Sequence, residues 1–407
     1  MTDKPLPTGF QLLEIDPAYR ADPYTVLAEL RERCPVRLDP AFNQYVLTRY
    51  EDVKAIVNDR TLLRHPREAD PASMFHRFIE QRDQVNPGAE GESILFMDDP
   101  DHARVRTPLT KVFYKRAGKM RSDVEQIVRD VLNGLRGQKS FDIINDFGIP
   151  IPILVIAQVL GVEKHRLREF REWSEGVILA LHIARSPSQT TQMLSAQKSL
   201  REYFLEAMDD RRRRPKDDLI TDLVQIQAEG AELSDAEICI NASALLVGGN
   251  LTTTDLIGNG VHALLNNPAE LKKLKDDPSL ASNTVEEILR FESPISLTSR
   301  VASRDMEVGG CPVHKTQPMM TYLRAANRDP EVFADPDRFD ITRKHVAHVA
   351  FGGGAHICIG APLARMEAQV ALPMLFERYP NLRLAKQDYI WRSLPGFRGL
   401  ESLIVEV

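Results

Sequence analysis

A glycine-rich segment near the end of the chain carries the strongest chemical signal in the sequence. The residues of this segment that could take part in chemistry or shape its backbone are Phe351, Gly352, Gly353, Gly354, His356, Cys358 and Gly360. A helical pattern follows the segment, so free backbone N–H groups and the positive end of the helix dipole would stabilise a thiolate at Cys358. Cys358 is therefore a candidate nucleophile, redox thiol or metal ligand, although a lone cysteine in a glycine turn is more often a small buried hydrophobic residue.

A nucleophilic role would need a base beside this thiol. His356 lies two residues before Cys358 and would share its side of the loop if the backbone were extended. No Asp or Glu occurs between Asp340 and Glu367, so the acid that orients the imidazole of a triad would come from elsewhere in the chain. A hydrolase therefore remains a weak alternative.

Two pairs of possible zinc ligands lie upstream of the loop. Cys311 and His314 form the first pair, and His345 and His348 form the second. Zinc fingers show comparable pairings, but no small zinc module separates these two pairs. We expect the match to be accidental, as loose motifs of this kind usually are.

The cysteines of the chain show no paired spacing. No C-x-x-C pair occurs, which argues against a disulfide framework and against a thioredoxin-type motif. We therefore expect any reactive cysteine to act alone. The four cysteines are Cys34, Cys239, Cys311 and Cys358.

A long helix is predicted from Ser234 to about Leu265. Ser234 and Glu237 have the spacing of a capping box, and the apolar pattern then continues for about thirty residues, or roughly 45 Å. Such a helix crosses the core of a protein rather than covering one patch of its surface.

Two glycines and three threonines, Thr252, Thr253 and Thr254, interrupt the middle of this helix. Each glycine there costs about 1 kcal/mol relative to alanine. The Thr252 hydroxyl can reach the carbonyl of Gly248, and the missing side chains of Gly248 and Gly249 open space beside the helix. The segment predicts either a kink with close backbone packing or an opening with a function.

Glu287 and Arg290 are spaced i, i+3 on a helix predicted from Ser282 to Phe291, so their side chains face the same way. Alone, the pair would indicate an ordinary surface ion pair. Arg338 follows in a turn-rich segment. We expect Arg338 to complete a buried charge network that locks the C-terminal region.

The composition excludes several classes of protein. The 407 residues carry 52 Lys and Arg against 58 Asp and Glu, and 43% are hydrophobic, which excludes disordered and collagen-like chains. The basic run from Arg211 to Arg214 is flanked by aspartates, so we expect no nucleic-acid binding. Residues 1–11 lack the apolar stretch of a signal peptide, and residues 150–162 are fewer than the ~20 of a membrane span, so we expect a cytoplasmic protein.

The element pattern predicts a mainly α protein with small β-sheets, an α+β fold in a single domain over residues 1–407. The helix-rich core extends from about residue 100 to 293. The β-rich parts lie at about residues 36–48, 296–323 and 402–407, so segments distant in sequence must pair. No repeat or linker divides the chain.

Together and in this order, the motifs resemble the cytochrome P-450 family of haem-thiolate monooxygenases. Residues 351–360 match F-x-x-G-x-x-x-C-x-G, and Glu287 and Arg290 match Glu-x-x-Arg. Arg338 falls where the family's third partner lies. The resemblance implies the cytochrome P-450 fold, with a long central helix over the haem.

The resemblance extends to residues 98–106, which are similar to the H-x-x-x-R segment of soluble bacterial members. It implies a haem b cofactor with Cys358 as the axial iron ligand, whose electron donation favours cleavage of the O–O bond. Phe351 would pack near the sulfur. The residues implied in haem binding are His102, Arg106, Gly248, Arg300, Phe351, Gly352, His356, Gly360 and Ala364, of which His102, Arg106, Arg300 and His356 would hold the propionates.

The sequence departs from the family's pattern next to Thr252, the implied catalytic alcohol. The family commonly has Asp or Glu immediately before this threonine, where it helps to deliver protons to bound oxygen, but this chain has Leu251. Asn250, Thr253 or Asp255 would have to act through water and from other helical directions. The route of the protons is therefore open.

The implied reaction is insertion of one atom of O2 into an apolar substrate of the terpenoid, steroid, fatty-acyl or aromatic class. The alternatives are a peroxide-using or rearranging haem-thiolate enzyme and a non-enzymatic haem sensor. The last is disfavoured because no His or Met occupies the distal stretch. The substrate pocket implied by the resemblance includes Leu95, Ala244, Val247, Leu297, Thr298 and Phe397.

The chain shows no flavin or iron–sulfur pattern of its own. The resemblance therefore implies electrons from a ferredoxin and its reductase. Basic side chains suited to an acidic partner are Lys111, Lys115, Arg116 and Arg365, although ordinary solvated helix charge accounts for them equally well.

Overall fold

The computed structural model describes residues 5–85, 91–182, 185–344 and 346–407. Helices dominate it and the strands are short, as the sequence pattern predicts. The helices are α1 (Pro17–Ala21), α2 (Pro23–Arg33), α3 (Tyr50–Asn58), α4 (Met74–Val85), α5 (Asp101–Ala117), α6 (Arg121–Gly134), α7 (Pro150–Leu160), α8 (Leu167–Ile178), α9 (Pro187–Arg213), α10 (Leu219–Ala228), α11 (Asp235–Asn266), α12 (Pro268–Asp276), α13 (Ala281–Phe291), α14 (Leu323–Ala326) and α15 (Ala361–Arg378). The strands are β1 (Val36–Asp39), β2 (Gln44–Leu47), β3 (Ser140–Asp142), β4 (Thr298–Val301), β5 (Met306–Val308), β6 (Cys311–Val313), β7 (Pro318–Thr321), β8 (Arg383–Leu384) and β9 (Ile404–Glu406).

Contacts among the described residues divide the chain into two compact units. The first comprises residues up to Gln81, His262–Cys358 and Asp388–Glu401. The second comprises Arg82–Val261, Ile359–Gln387 and Ser402–Val407. The expectation of one domain over residues 1–407 stays a prediction.

A four-stranded sheet with the order β1-β2-β7-β4 organises the first unit. Strand β2 pairs in parallel with β7, and β4 pairs antiparallel with β7, so residues 44–47, 298–301 and 318–321 form one sheet despite their separation in sequence. Apolar side chains such as Leu47, Val313 and Met319 are buried beneath it. The pairing fixes β4, the strand that carries Thr298 and Arg300.

The second unit has a separate sheet with the order β3-β9-β8. The C-terminal strand β9 pairs there with β3 and β8, whose residues lie outside the β-rich parts expected from the sequence. Strand β3 was missed because it has only three residues inside a helix-rich stretch. The Asp142 carboxylate accepts a hydrogen bond from the Leu403 N–H at 2.9 Å, which brings the chain end to this position.

An apolar stretch of 18 residues, Ile143–Leu160, is long and apolar enough to cross a membrane. A π-helical segment, Ile143–Gly148, precedes α7 and makes this stretch longer than residues 150–162 suggested. The expectation that it is too short was therefore wrong. However, 67% of the stretch is buried inside the protein, as in the core helix of a globular fold.

Candidate active site

The cysteine loop folds back on itself within the first unit. The Cys358 N–H donates to the carbonyl oxygen of Phe351 at 3.0 Å, and the Gly352 N–H donates to that of Val349 at 2.8 Å. Gly352 and Gly354 have φ values of 69° and 63°, which side chains rarely tolerate. These turns present the thiol at the end of a closed loop.

The loop glycines also permit close contact with the last turn of α3. A Cβ on Gly354 would lie 2.7 Å from the backbone oxygen of Val57, and one on Gly353 would lie 2.7 Å from Oδ1 of Asn58. The same Asn58 oxygen accepts a hydrogen bond from the Gly354 N–H at 3.0 Å. The end of α3 therefore determines where the loop lies.

Arg300 braces the loop from the other side. Its buried guanidinium donates to the backbone oxygens of Val57 at 2.9 Å, Gly353 at 3.2 Å and Ser299 at 2.8 Å. Its interactions with the loop and with α3 were not foreseen from the sequence. The additional role of Arg300 at a propionate stays a prediction.

The thiol of Cys358 is exposed although the loop around it is held in place. The neighbouring Ile357 side chain is also exposed, with 46% of its surface accessible, while Phe351 and His356 are half-buried. A thiol beside an apolar side chain, three residues before α15 begins, suits a flat apolar group ligated through sulfur. This donor set fits a haem.

The possible zinc ligands are otherwise engaged. His348 pairs with Glu286 at 3.1 Å and accepts a hydrogen bond from the Ala350 N–H at 3.2 Å. His345 lies outside the described residues. Among the described residues, no group of three His, Cys, Asp or Glu side chains is placed to hold a metal ion.

The capping box at the start of α11 forms as predicted. The Ser234 hydroxyl oxygen accepts from the Glu237 N–H at 3.2 Å, and the Glu237 carboxylate accepts from the Ser234 N–H at 2.8 Å. Arg104 on α5 donates to the same carboxylate at 2.6 Å, and its hydrogen bonds lower the pKa of Glu237. The start of α11 is thereby fixed to α5.

The two glycines in the middle of α11 have different surroundings. A Cβ on Gly249 would lie 3.3 Å from Cγ1 of Ile156 on α7, so Gly249 serves helix packing. A Cβ on Gly248 would have no atom within 4 Å, and Gly248 is exposed. The Thr252 hydroxyl donates to the Gly248 carbonyl at 2.7 Å, as predicted. The helix therefore packs closely against α7 at Gly249 and leaves open space at Gly248.

The side chains considered as replacements for the missing acid are all buried. Asn250, Thr253 and Asp255 are 6%, 2% and 0% exposed, whereas Leu251 is half-buried. Asp255 lies one helical turn after Leu251 on α11. The helix therefore carries a carboxyl group close in sequence to Thr252 but not at the usual position.

His102 on α5 is 3% exposed. Burial and the charge of Arg106 lower the pKa of His102, against the opposing effect of Asp99 at 3.6 Å. Burial and the charge of Arg106 thus favour the uncharged form of His102. The expectation that His102 and Arg106 hold a propionate stays a prediction.

A buried carboxyl group on α15 was missed by the sequence reasoning. Glu367 is 2% exposed, and burial raises its pKa well above the usual value. Its Oε2 accepts no hydrogen bond from the described residues. The only signal in the sequence was a lone acid on the apolar face of a helix whose first turn contains Ala364. Burial thus favours the protonated form of this carboxyl group, which lies nine residues after Cys358 in the sequence.

The comparisons decide the family. The profile described as Cytochrome P450 matches residues 44–397 of the chain. The chain belongs to the cytochrome P450 family. The P450 named cytochrome P450 107B1 of Saccharopolyspora erythraea is 39% identical over 97% of both chains.

Two solved P450 structures with bound acyl compounds share the fold. A myxobacterial P450, CYP267B1, in complex with myristic acid is 33% identical, with a TM-score of 0.87 over 97% of this chain and 98% of the other. P450BioI in complex with an acyl carrier protein carrying hexadec-9Z-enoic acid is also 33% identical, with a TM-score of 0.85 over 96% of this chain and 100% of the other. The predicted fold class is thus confirmed.

Family membership makes this P450 an oxidoreductase that uses haem b, bound through a cysteine thiolate. P450 enzymes are monooxygenases that act on apolar substrates with O2 and a redox partner. The predictions of enzyme class and cofactor are confirmed. Of the cysteines, Cys358 alone lies in the loop that matches the family's motif.

In the second unit of this P450, a buried asparagine holds one segment of the predicted substrate pocket. The Asn241 carbonyl oxygen on α11 accepts from the Ile94 N–H at 2.9 Å, and its amide donates to the Glu237 carbonyl at 2.9 Å. Leu95, the next residue, is 41% exposed. Farther along α11, Ala244 is half-exposed and Val247 is buried.

In the first unit, Glu14 holds the other predicted pocket segments together. Its carboxylate accepts from the Gly396 N–H at 2.7 Å and from the Ser296 hydroxyl. Leu297 and Phe397 therefore follow two residues that share one carboxylate. Thr298 accepts a hydrogen bond from Arg64, so its hydroxyl also helps to hold the fold.

The charge network around Glu287 differs from the prediction in one member. Glu287 and Arg290 are both 0% exposed and form a 2.7 Å ion pair. Arg290 also donates to the backbone oxygen of Arg338 at 3.2 Å, but the Arg338 side chain is exposed. The third side chain is Arg343, 3.2 Å from Glu287. The prediction for Arg338 was wrong because the turn directs its carbonyl, rather than its side chain, inward.

Proposed function

We propose that this P450 inserts one oxygen atom of O2 into an apolar organic substrate, using electrons delivered by a ferredoxin and its reductase. The observation that carries the proposal is the exposed Cys358 thiol on a braced loop in a chain of the P450 family. The exposed Ile357 beside it supports contact with a flat apolar cofactor.

In this proposal Cys358 ligates the haem iron. When bound, the haem supplies the centre at which O2 is reduced and its O–O bond is cleaved. Gly352, Phe351 and the hydrogen bond from the Cys358 N–H set the position of the sulfur. The groups proposed around the haem are His102, Arg106, Gly248, Arg300, His356, Gly360 and Ala364.

Thr252 is proposed to hold the proton-delivering water. Its hydroxyl hydrogen is directed to the Gly248 carbonyl, so the lone pairs of Oγ1 are available to accept a hydrogen bond. The open space at Gly248 supports room for a small molecule there. Leu251 cannot supply a proton, which leaves Asp255 and Glu367 as candidate donors through water.

A long acyl chain is the first substrate class that we propose to test. Its support is the pair of solved relatives that contain myristic acid and a hexadecenoyl chain. The pocket residues are mainly apolar, so terpenoid, steroid and aromatic compounds are the alternatives. Leu95, Ala244, Val247, Leu297, Thr298 and Phe397 are the proposed contacts.

The ligand assignment is tested on haem-loaded protein that is reduced and exposed to carbon monoxide. Wild type is expected to show the red-shifted Soret band of a thiolate-ligated haem, and Cys358→His is expected to lose it together with monooxygenation. Cys239→Ser is the matched control and should keep the band. Retention of the band in Cys358→His would show that the ligand is another residue.

The substrate class is tested separately by titration. Myristic acid is expected to displace water from the iron and shift the Soret band, and turnover with a ferredoxin system should then give a hydroxylated acid. A shift with a steroid but none with myristic acid would assign the pocket to the steroid class, without affecting the haem assignment.

Leu251 favours a second candidate function, that of a peroxide-using or rearranging haem-thiolate enzyme. A P450 without the usual acid beside Thr252 lacks one established route for protons, and peroxide brings its own. Fast turnover with hydrogen peroxide, and none with the ferredoxin system, would favour this candidate.

The proposed electron donor is an acidic protein. Lys111 and Lys115 on α5 are exposed and support such a contact. Arg116 does not, because it is bound to Asp222 at 2.6 Å and to Asp217 at 3.0 Å. A cytoplasmic location is proposed because the long apolar stretch at α7 is mostly buried in its own unit.

A further inference from the structure

Two cysteines that are far apart in the sequence meet in the first unit. The Sγ atom of Cys34 lies 3.6 Å from the backbone oxygen of Val36, and that of Cys311 lies 3.3 Å from the same oxygen. The distance between the two sulfur atoms therefore cannot exceed the sum of these two distances. Both side chains are half-buried and neither is in a disulfide. The sequence, which contains no C-x-x-C pair, did not predict this proximity.

The tight turn between β5 and β6 imposes this position on Cys311. Gly309 and Gly310 have φ values of 56° and 81°, the left-handed pair that suits a two-residue hairpin turn. A Cβ on Gly309 would lie 2.7 Å from Cγ2 of Val36, so the turn rests directly on that residue. Cys311 is the first residue after the turn and is carried to the Val36 carbonyl.

Cys34 arrives at the same oxygen from the other direction. It is the residue that ends α2, and its N–H donates to the Leu30 carbonyl at 2.9 Å, so its backbone is held by the last helical turn. Val36 begins β1 two residues later. The backbone is held in place at both cysteines. The two sulfur atoms can therefore move mainly by rotation of their side chains.

The other two cysteines differ from this pair. Cys239 is 3% exposed, and burial raises its pKa to about 11, so it forms little thiolate at neutral pH. Cys358 is assigned to the haem. Cys34 and Cys311 thus remain as two accessible thiols that share one neighbour.

We propose that Cys34 and Cys311 form a dithiol site that a small disulfide of the glutathione class converts reversibly into an intramolecular disulfide. One protein thiolate attacks a sulfur of the reagent, the reagent's S–S bond breaks, and one small thiol leaves. The second protein thiolate then attacks the protein sulfur of this mixed disulfide and releases the second small thiol. Two electrons pass from the protein to the reagent, and the two thiol protons end on the two released thiols.

The bond would join the end of α2 to the β5–β6 hairpin within the first unit. It would constrain two segments that are far apart in the unfolded chain, so the oxidised protein should melt at a higher temperature than the reduced protein. Neither cysteine belongs to the proposed haem site. The inference therefore stands or falls independently of the proposed function.

The test treats haem-loaded protein with excess oxidised glutathione and maps its peptides without reduction. Wild type is expected to lose two of its four thiols, counted after unfolding, and to lose the mass of two hydrogen atoms. The peptides that carry Cys34 and Cys311 should be cross-linked, and dithiothreitol should restore both thiols. The spectrum with carbon monoxide should not change.

Variants that lack one cysteine distinguish a paired dithiol site from two thiols that react independently. Cys34→Ser and Cys311→Ser are each expected to retain a glutathione adduct on the remaining cysteine of the pair. Cys239→Ser should behave as wild type. Stable glutathione adducts on both cysteines of the wild-type protein, or two unreacted thiols, would overturn the proposal.

Discussion

Two adjacent residues of α11, Leu251 and Thr252, have opposite consequences for proton transfer. Leu251 has no exchangeable proton, whereas the Thr252 hydroxyl donates to Gly248 and keeps its lone pairs available. In the proposed function, the route of the protons therefore depends on a single hydroxyl and on carboxyl groups located elsewhere. Asp255 and Glu367 are both buried, and burial raises the pKa of Glu367.

Thr252→Ala is expected to uncouple electron use from product formation. Without the hydroxyl, the delivering water loses a hydrogen-bond partner, and product formed per NADPH should fall on the order of tenfold while hydrogen peroxide rises. NADPH, product and peroxide are measured together. Thr252→Ser retains the hydroxyl and should retain most of the coupling. Unchanged coupling in Thr252→Ala would show that protons reach oxygen by another route.

Glu367→Gln is expected to change how stability depends on pH. The folded protein keeps Glu367 protonated at pH values where the unfolded chain ionises it, because burial raises its pKa. Between the ordinary and the raised pKa, wild type should lose stability relative to the variant as pH rises, by up to about 1.4 kcal/mol per pH unit.

The measurement is the free energy of unfolding of both holoproteins from about pH 5 to pH 8. Glu377→Gln, at an exposed position on the same helix, is the matched control and should follow the wild type. Parallel curves for wild type and Glu367→Gln would contradict an ionisation cost at Glu367.

At the scale of elements, polar contacts to the ends and sides of helices position the site. Arg104 fixes the start of α11 to α5, and Asn241 fixes residue 94 to α11. The last turn of α3 determines the course of the cysteine loop through Val57 and Asn58. Each contact joins segments that the sequence pattern identifies singly but does not bring together.

Asn241→Ala is expected to weaken binding of apolar ligands while leaving the haem spectrum intact. The buried Ile94 N–H loses its acceptor, so the segment that carries Leu95 loosens, and Kd should rise about tenfold. Kd is measured by titration of the Soret band with myristic acid.

Asn266→Ala is the matched control for this prediction. The side-chain amide of Asn266 donates the same type of hydrogen bond to the carbonyl four residues earlier, at 2.9 Å, but Asn266 holds no loop. Equal ligand affinity in both variants and in wild type would show that Asn241 serves only the helix.

Gly354→Ala is expected to disturb the thiolate loop far more than Gly352→Ala. Both glycines have positive φ, which costs an alanine roughly 1 kcal/mol, but only the new Cβ at Gly354 would lie 2.7 Å from the Val57 backbone oxygen. The thiolate Soret band and the haem content report the loop position. Equal spectra in both variants would mean that the end of α3 does not set it.

At the scale of the whole molecule, buried charge networks join segments within the first unit. Glu287 and Arg290 tie α13 to residues 327–343, since Arg290 donates to the backbone oxygens of Asn327 at 3.0 Å and Pro336 at 2.8 Å. Removing one partner of such a pair leaves an unpaired buried charge, which costs about 3–5 kcal/mol. The intact network therefore contributes to the stability of this region.

Arg343→Ala is expected to lower the free energy of unfolding by about 1–3 kcal/mol, because Glu287 loses a charged donor in a buried setting. Arg338→Ala should change it by less than about 0.5 kcal/mol, because that side chain is exposed. Denaturant unfolding of the two variants provides the comparison. A larger loss in Arg338→Ala would restore the original assignment of the third partner.

Local chemistry was readable in the sequence because it depends on neighbours along the chain. The capping box of Ser234 and Glu237 and the Thr252 bond to Gly248 each involve residues within one helical turn. Each P450 motif likewise lies within one loop or helix, and the order of the motifs is read directly along the chain. Helix type and extent followed for the same reason, and so did the family.

Contacts between distant segments were decided only by the tertiary structure. Arg343 rather than Arg338 meets Glu287, Arg300 binds the loop backbone, and β9 pairs with β3, because packing and turn geometry determine which group points inward. Cys34 and Cys311 meet at one carbonyl only because a glycine turn rests on Val36. Contacts of this kind depend on the whole fold and cannot be deduced from the spacing of residues along the chain.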